Sequence, residues 1–178
     1  MKSLKLDMDG VIVDFVKGAL KFHGREDYVV KHWDFDVSLF GKANVSKFWA
    51  PLGFEFWANL PWTPQGKEFL GYLREMIGKD NICFLTSPCQ TVGSIEGKIE
   101  WLRRNIPDMS RQFAICPMKQ YESHPKALLV DDSDVNCAKF KLAGGKAITV
   151  PQLWNHRGEE EFNPRMLALE VSTQWAIL

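Results

Sequence analysis

Five stretches of the 178-residue chain are apolar almost without a break: LKLDM (4–8), NICFLT (81–86), QFAIC (112–116), ALLVD (127–131) and KAITV (146–150). None alternates as a strand with one wet face would. Each therefore reads as a strand buried on both sides, the pattern of a parallel sheet covered by helices. Helical patterns fill the gaps. Thr63–Pro64 offers an N-cap and first-turn pair for GKEFLGYLREMI, which Gly78 can end. In SIEGKIEWLRRN, the residues Ile95, Ile99 and Leu102 are expected to share one side. Ser133 is placed to cap a helix running through Leu142 and closed by Gly144–Gly145, and Asn163–Pro164 to open a last one. Strand and helix thus alternate from residue 63 onward, which predicts a doubly wound α/β core.

Residues 16–62 break this alternation. They hold Trp33, Trp49, Trp57 and Trp62 together with six phenylalanines, Phe22, Phe35, Phe40, Phe48, Phe54 and Phe56. The stretch is too long and too aromatic for an ordinary loop after a first strand. It is expected to be a small, mainly helical cap folded over the end of that strand, with residues 1–15 and 63–178 forming the core.

Composition narrows the class. Hydrophobic residues make up 46% and charged ones 25%, ordinary for a globular protein, and 22 Lys plus Arg balance 22 Asp plus Glu. No global field attracts nucleic acid or a membrane, so any anion site must be local. The first apolar run is interrupted by acids, unlike a signal peptide, and no stretch reaches the roughly 18 apolar residues of a membrane span. The cysteines, Cys83, Cys89, Cys116 and Cys137, form no CxxC pair. A reduced, cytoplasmic protein without a zinc site is expected.

The chemistry is concentrated where strands end. Asp7 and Asp9 close the first run, Thr86–Ser87 the second and Asp131–Asp132 the fourth, while Lys119 follows the third. In open α/β sheets, ligands bind outside the carboxyl ends of strands, where the strand order reverses. A turn or a helix cap would explain one or two of these residues, but not acids in the first strand meeting acids at the end of a later one. Gathered carboxylates need a cation, and oxygen ligands without His or Cys favour Mg²⁺. A carboxylate can also attack phosphorus, and a second one two residues on can protonate the leaving oxygen and then deprotonate water. A hydroxyl, a lysine and backbone N–H groups would steady the transferring phosphoryl group, and Gly10 suits a turn that approaches a ligand closely.

These motifs, DMDGVIVD, FLTS, Lys119 and LLVDDS, occur in the order found in the haloacid dehalogenase (HAD) superfamily, which the chain resembles from residue 4 to about 150. The resemblance implies an α/β, HAD-like Rossmannoid three-layer sandwich with the cap after strand 1. It implies Asp7 as nucleophile and Mg²⁺ ligand. Asp9 would be general acid/base and a metal ligand through its backbone carbonyl. Thr86, with Ser87 and Gly10, would bind the phosphoryl group, and Lys119 would neutralise Asp7 and the phosphate. Asp131 would ligate Mg²⁺, with Asp132 as a further ligand or an orienting partner. Because Asp9 is present, phosphoryl transfer is favoured over dehalogenation. DMDGVIVDF, GFEFWANLPWTPQGKEFL, TSP, LLVDD and PQLWN further resemble the 5'(3')-deoxyribonucleotidases, whose substrates are nucleoside monophosphates. The gap from Lys119 to Asp131 is longer than that group's, so Lys126 is a rival; it directly precedes a strand, at the wrong end of the sheet, which favours Lys119.

Other residues carry weaker claims. Phe15 is either a substrate-pocket aromatic, as the resemblance implies, or packing at the cap junction. Trp33, Trp49 and Trp57 are each more readily cap core than base-stacking surface. Trp154–Asn155 would reach the crevice rim, and Asp14 orients the loop or the first helix. His156 reads as a surface histidine, RGEEEF as a solvated charge run and Arg103–Arg104 as a helix face. A small phosphorylated partner is expected, with neither membrane nor long nucleic acid, and a homodimer stays open. The leading reading is a Mg²⁺-dependent phosphomonoesterase for (deoxy)nucleoside 5'- or 3'-monophosphates. The alternatives are a phosphatase for another small phosphate, such as a sugar phosphate, or a non-catalytic module binding a phospho-ligand or partner.

Overall fold

β1 (Ser3–Leu6) lies at the centre of a five-stranded, all-parallel sheet in a computed structural model that describes residues 1–178. On one side of it stand β2 (Ile82–Thr86) and β3 (Phe113–Ile115), on the other β4 (Ala127–Asp131) and β5 (Lys146–Thr149). The order β3-β2-β1-β4-β5 reverses direction between β1 and β4, the switch point at which a doubly wound sheet opens a crevice. All five apolar runs are strands, and their continuous hydrophobicity follows from burial on both faces. Leu4, Leu6, Phe84, Leu128 and Val130 share one cluster with α5 (Gly66–Ile77), α6 (Ser94–Asn105) and α8 (Pro164–Ala176). Leu85, Ala127 and Leu129 form another with Phe140 of α7 (Asp134–Leu142). Three layers result. No helix is long and apolar enough to cross a membrane.

The helix ends follow local chemistry where side chains are free. Ser133 accepts the Asn136 N–H to cap α7, and Asn163 accepts the Met166 N–H to cap α8, with Pro164 in the first turn. Two expectations are overturned. Thr63 does not cap α5, because its hydroxyl donates to Val11 O at 2.8 Å and Gln65 takes the cap position. The buried face of α6 is not the Ile95–Ile99–Leu102 side: Ile95 is exposed, and Ser94, Gly97, Lys98, Trp101 and Leu102 turn inward. The reason is close approach. A Cβ on Gly97 would sit 2.5 Å from Trp57 Cβ and 2.8 Å from Phe54 O, so α6 can lie against the cap only by presenting that glycine.

The aromatic insertion contains α1 (Phe15–Phe22), α2 (Phe35–Phe40), α3 (Val45–Trp49) and α4 (Phe54–Ala58). Asp14 caps α1 by accepting the Lys17 N–H at 3.0 Å. The chain enters and leaves the insertion at one point, where Asp14 N donates to Pro61 O and Thr63 N to Ile12 O. Phe15, Phe35, Phe48, Leu52 and Trp57 are buried in the same cluster as the sheet residues, so insertion and sheet share one continuous core.

Candidate functional site

The site is assembled by strand register. Leu6 pairs with Val130, and Asp7 N continues the ladder to Val130 O at 2.9 Å. This sets Asp7 beside Asp131, the last residue of β4. The turn that follows is tight: Met8 O accepts N–H groups from Val11, Ile12 and Val13. Gly10 adopts φ 74°, and a Cβ there would collide with the Asp132 carboxylate, so only glycine lets this turn close onto Asp132.

Lys119 joins the two strand ends. It is 2% exposed, and its Nζ lies 2.7 Å from Asp7 Oδ1 and 2.7 Å from Asp131 Oδ2. Burial acts to lower its pKa, but Asp7 and Asp131 outweigh that and leave it raised, so the ammonium stays charged. Asp7 Oδ1 also accepts the Met8 N–H at 2.8 Å, while Oδ2 makes no hydrogen bond. Asp131 Oδ1 accepts from Ser133 N at 2.8 Å and from Asn136 Nδ2 at 3.2 Å. Asp132 Oδ2 accepts the Trp154 indole N–H at 2.8 Å, and Asn155 donates to Asp132 O and to Val150 O. Lys126 sits exposed just before β4, at the opposite end of the sheet.

The carboxylates of Asp7, Asp131 and Asp132 offer oxygens that all lie within 4.8 Å of one another, and all three residues are buried. One ammonium serves three acids there. Burial, opposed by Lys119 and reinforced by Asp131 and Asp9, pushes Asp7 up to about 7. Burial, then the neighbouring Asp131 and Asp7, drive Asp132 well above the usual carboxylate range. A surplus of buried negative charge on oxygen ligands alone is what a hard divalent cation relieves, so these residues fit Mg²⁺.

Lys98 on α6 is the group that sequence reasoning missed. It is 2% exposed, its Nζ pairs with Asp9 Oδ2, and it donates to Thr86 Oγ1 at 2.8 Å and to Ser87 O at 3.0 Å. Its position three and four residues after Ile95 and Ser94 and three before Trp101 placed it on the Ser94–Gly97–Trp101 side. Reading the helix by its small residues rather than its isoleucines would have turned that lysine toward the strand ends. Ser87 itself donates to Cys116 O at 3.3 Å.

These groups open onto a cavity of about 810 Å³ between the strand ends and the insertion, whose lining includes Asp7, Asp9, Ser87, Lys98, Lys119 and Asp132. The far wall is aromatic. Phe15 lies between Trp49 and Trp57, with ring centroids 5.5 and 5.3 Å away and planes within 5° of parallel. Phe15 is buried, at 3% exposed, so almost none of its ring is left for a ligand. Trp57 has Lys98 Nζ 4.8 Å from its ring centroid as well. Trp33, 47% exposed, also lines the cavity and leans on Trp154, 5.9 Å between centroids. His156 pairs with Asp134 outside the cavity, and Arg103 and Arg104 pair with Glu100 on the surface. The RGEEEF segment is not a free charge run: Arg157 donates to Thr149 O at 2.8 Å and bridges Glu160 and Glu170, which ties the loop to α8.

No protein-family model matches the sequence, and no curated protein does. Among solved structures, the chain is similar to L-2-haloacid dehalogenase from Xanthobacter autotrophicus, at 11% identity and TM-score 0.49 over 96% of this chain and 88% of that one. CbbY from Rhodobacter sphaeroides, in complex with phosphate, is 18% identical with a TM-score of 0.46, over 91% and 90% of the two chains. A haloacid dehalogenase-like family hydrolase from Streptococcus pneumoniae superimposes over 98% of both chains, at 12% identity and TM-score 0.57. That last likeness shows a shared fold.

Proposed function

We propose that this protein is a metal-dependent phosphomonoesterase that works through an aspartyl-phosphate on Asp7. The observation that carries the proposal is the state of the two acids facing the cavity. Asp7 is fixed through Oδ1 by Lys119 and a backbone N–H, which leaves Oδ2 without a hydrogen bond. Two residues on, Asp9 is fixed through Oδ2, and its Oδ1 is buried with no partner. Asp7 Oδ2 is then the attacking atom, and the Asp9 carboxyl hands a proton to the departing ester oxygen and later takes one from the water that cleaves the acyl phosphate. Thr86, at the end of β2, only accepts from Lys98 and keeps its hydroxyl hydrogen for a phosphoryl oxygen, whereas the Ser87 hydroxyl goes to Cys116 O and the Gly10 N–H to Val13 O. Lys119 balances charge on Asp7 and the phosphate. Asp7, Asp131 and Asp132, with the Asp9 carbonyl, would hold Mg²⁺. When bound, that ion supplies positive charge to the phosphoryl oxygens. The fold shared with a described hydrolase supports a hydrolytic role.

The substrate that suits the cavity best is a (deoxy)nucleoside monophosphate. A volume of about 810 Å³ exceeds what a phosphate group needs, and its apolar wall of Trp33, Trp49, Phe15 and Trp57 favours a planar, partly apolar leaving group. A second reading, a sugar phosphate or another small phosphate, is favoured by the stacking itself, because Phe15 and Trp57 are buried against their neighbours and offer little ring surface to a base.

Phosphate release from nucleoside 5'- and 3'-monophosphates and from sugar phosphates, with Mg²⁺ or a chelator, tests this. Metal-dependent turnover of nucleotides that Asp7→Asn abolishes supports the proposal. Release confined to sugar phosphates would move it to the second reading, and release from none would refute the enzyme.

A further inference from the structure

The ammonium of Lys98 has three protons, and all three are spent within the protein. They go to Asp9 Oδ2, Thr86 Oγ1 and Ser87 O. A lysine held in this way has no N–H left for a phosphate oxygen. Its partners instead are the side chain of Asp9 and the two residues at the tip of β2. A buried ammonium with every proton bonded cannot swing freely, so it fixes what it holds. The Asp9 carboxylate is gripped by one oxygen only, and the other, Oδ1, is buried without any partner. Leaving a carboxylate oxygen in that condition costs free energy, and the Lys98 pair on the same carboxylate offsets it.

We propose that Lys98 is a positioning residue for Asp9: by holding Oδ2, it fixes how the Asp9 carboxyl is presented to the ester oxygen that leaves the phosphorus. The inference rests on the phosphomonoesterase reading for its chemistry and on geometry alone for the positioning. The insertion takes part as well. Trp57 lies under the Lys98 ammonium, and Gly97 allows α6 to approach α4 closely enough for the two to meet. The aromatic stack Trp49–Phe15–Trp57 therefore ends on the lysine that orients the acid, so the cap wall and the proton-transfer group are one connected structure.

The leaving group distinguishes this role from phosphate binding. An alkoxide needs a proton to depart, whereas p-nitrophenolate does not. Lys98→Gln is expected to lower kcat/KM, which reports the steps up to departure of the ester oxygen, by about 100-fold for an alkyl phosphate, the scale of general acid catalysis. For p-nitrophenyl phosphate the fall in kcat/KM should be less than about tenfold; kcat also contains the water step, in which Asp9 acts on both esters alike. Asp9→Asn should show the same asymmetry, and the double variant should be no worse than Asp9→Asn alone. An equal loss of kcat/KM on both esters would make Lys98 a phosphate ligand and overturn the proposal. Lys98→Arg keeps the charge but not the three-way geometry. It should show the same asymmetry in smaller measure, and it carries the comparison if Lys98→Gln does not fold. A crystal structure of the variant that folds separates this inference from the phosphatase reading. Asp9 should rotate away from its wild-type orientation, and an unmoved Asp9 overturns the positioning role whether or not the wild-type protein cleaves any ester.

Discussion

Asp7 and Asp131, from strands whose sequences are more than a hundred residues apart, share a single ammonium: Lys119 Nζ stands 2.7 Å from an oxygen of each. With Asp132 beside them, the charge does not balance, and stability should depend on pH accordingly. Asp7 rises from an ordinary 3.8 to about 7 in the fold, first through burial, and Asp132 moves in the same direction. Between those values the native state holds more protons than the unfolded chain, so unfolding free energy falls as pH rises through that window. Metal-free protein should melt at a lower temperature near pH 8 than near pH 5. Mg²⁺ favours the ionised carboxylates and should close the gap. Thermal melts with Mg²⁺ or a chelator at the two pH values measure it, and a Mg²⁺ effect no larger at pH 8 would contradict it.

Removing the shared ammonium should cost more than removing a surface charge. Lys119→Met leaves two carboxylates without a counter-ion, and breaking one buried pair typically costs about 3–5 kcal/mol. For a chain of this length that corresponds to a drop in Tm of about 10 °C or more. Added Mg²⁺ should restore part of the melting temperature, because it neutralises the same oxygens, but not phosphate release. Restored activity would show that Lys119 serves the fold alone.

Much of this site is legible in the sequence, because its residues sit where a parallel sheet must end. Continuous apolar runs cannot alternate when both faces are covered, so their polar termini, Asp7, Thr86 and Asp131, mark the crevice edge. Lys98 was illegible for the opposite reason. Nothing in SIEGKIEWLRRN separates a lysine facing Asp9 from the charges around it until Gly97 fixes which face α6 presents to Trp57. Thr63 looked like a cap, but its hydroxyl goes to Val11 O, fifty-two residues away in sequence. The helices of the insertion, α2 to α4, run only five or six residues each, too short for a periodic pattern to declare itself.

The Trp154 indole N–H holds Asp132 Oδ2 at 2.8 Å from a loop outside the strand ends. Groups that orient a metal ligand in this way commonly change affinity by about 10–100-fold when lost. Trp154→Phe keeps a ring against Trp33 and removes only the donor. It should weaken Mg²⁺ binding on that scale by calorimetry while leaving the melting temperature of the metal-free protein within a few degrees. Unchanged affinity would mean that Asp132 is held well enough by Gly10 and the Asn155 contacts.

Trp33 decides between the two substrate readings. Phe15 and Trp57 spend their ring faces on each other, on Trp49 and on Lys98, and Trp49 donates its N–H to Asp36 Oδ2 at 2.8 Å. That leaves Trp33 as the most exposed ring of the wall, at 47%. Stacking of a base on an aromatic side chain is worth about 1–3 kcal/mol. If the leaving group is a nucleoside, Trp33→Ala should lower kcat/KM for nucleoside monophosphates by about tenfold or more and for a sugar phosphate far less. Equal losses on both would mean that the ring acts through its contact with Trp154, and so on Asp132, rather than on a base. The ratio of the two losses therefore reports what the ring touches, independently of how fast the wild-type protein turns over either substrate.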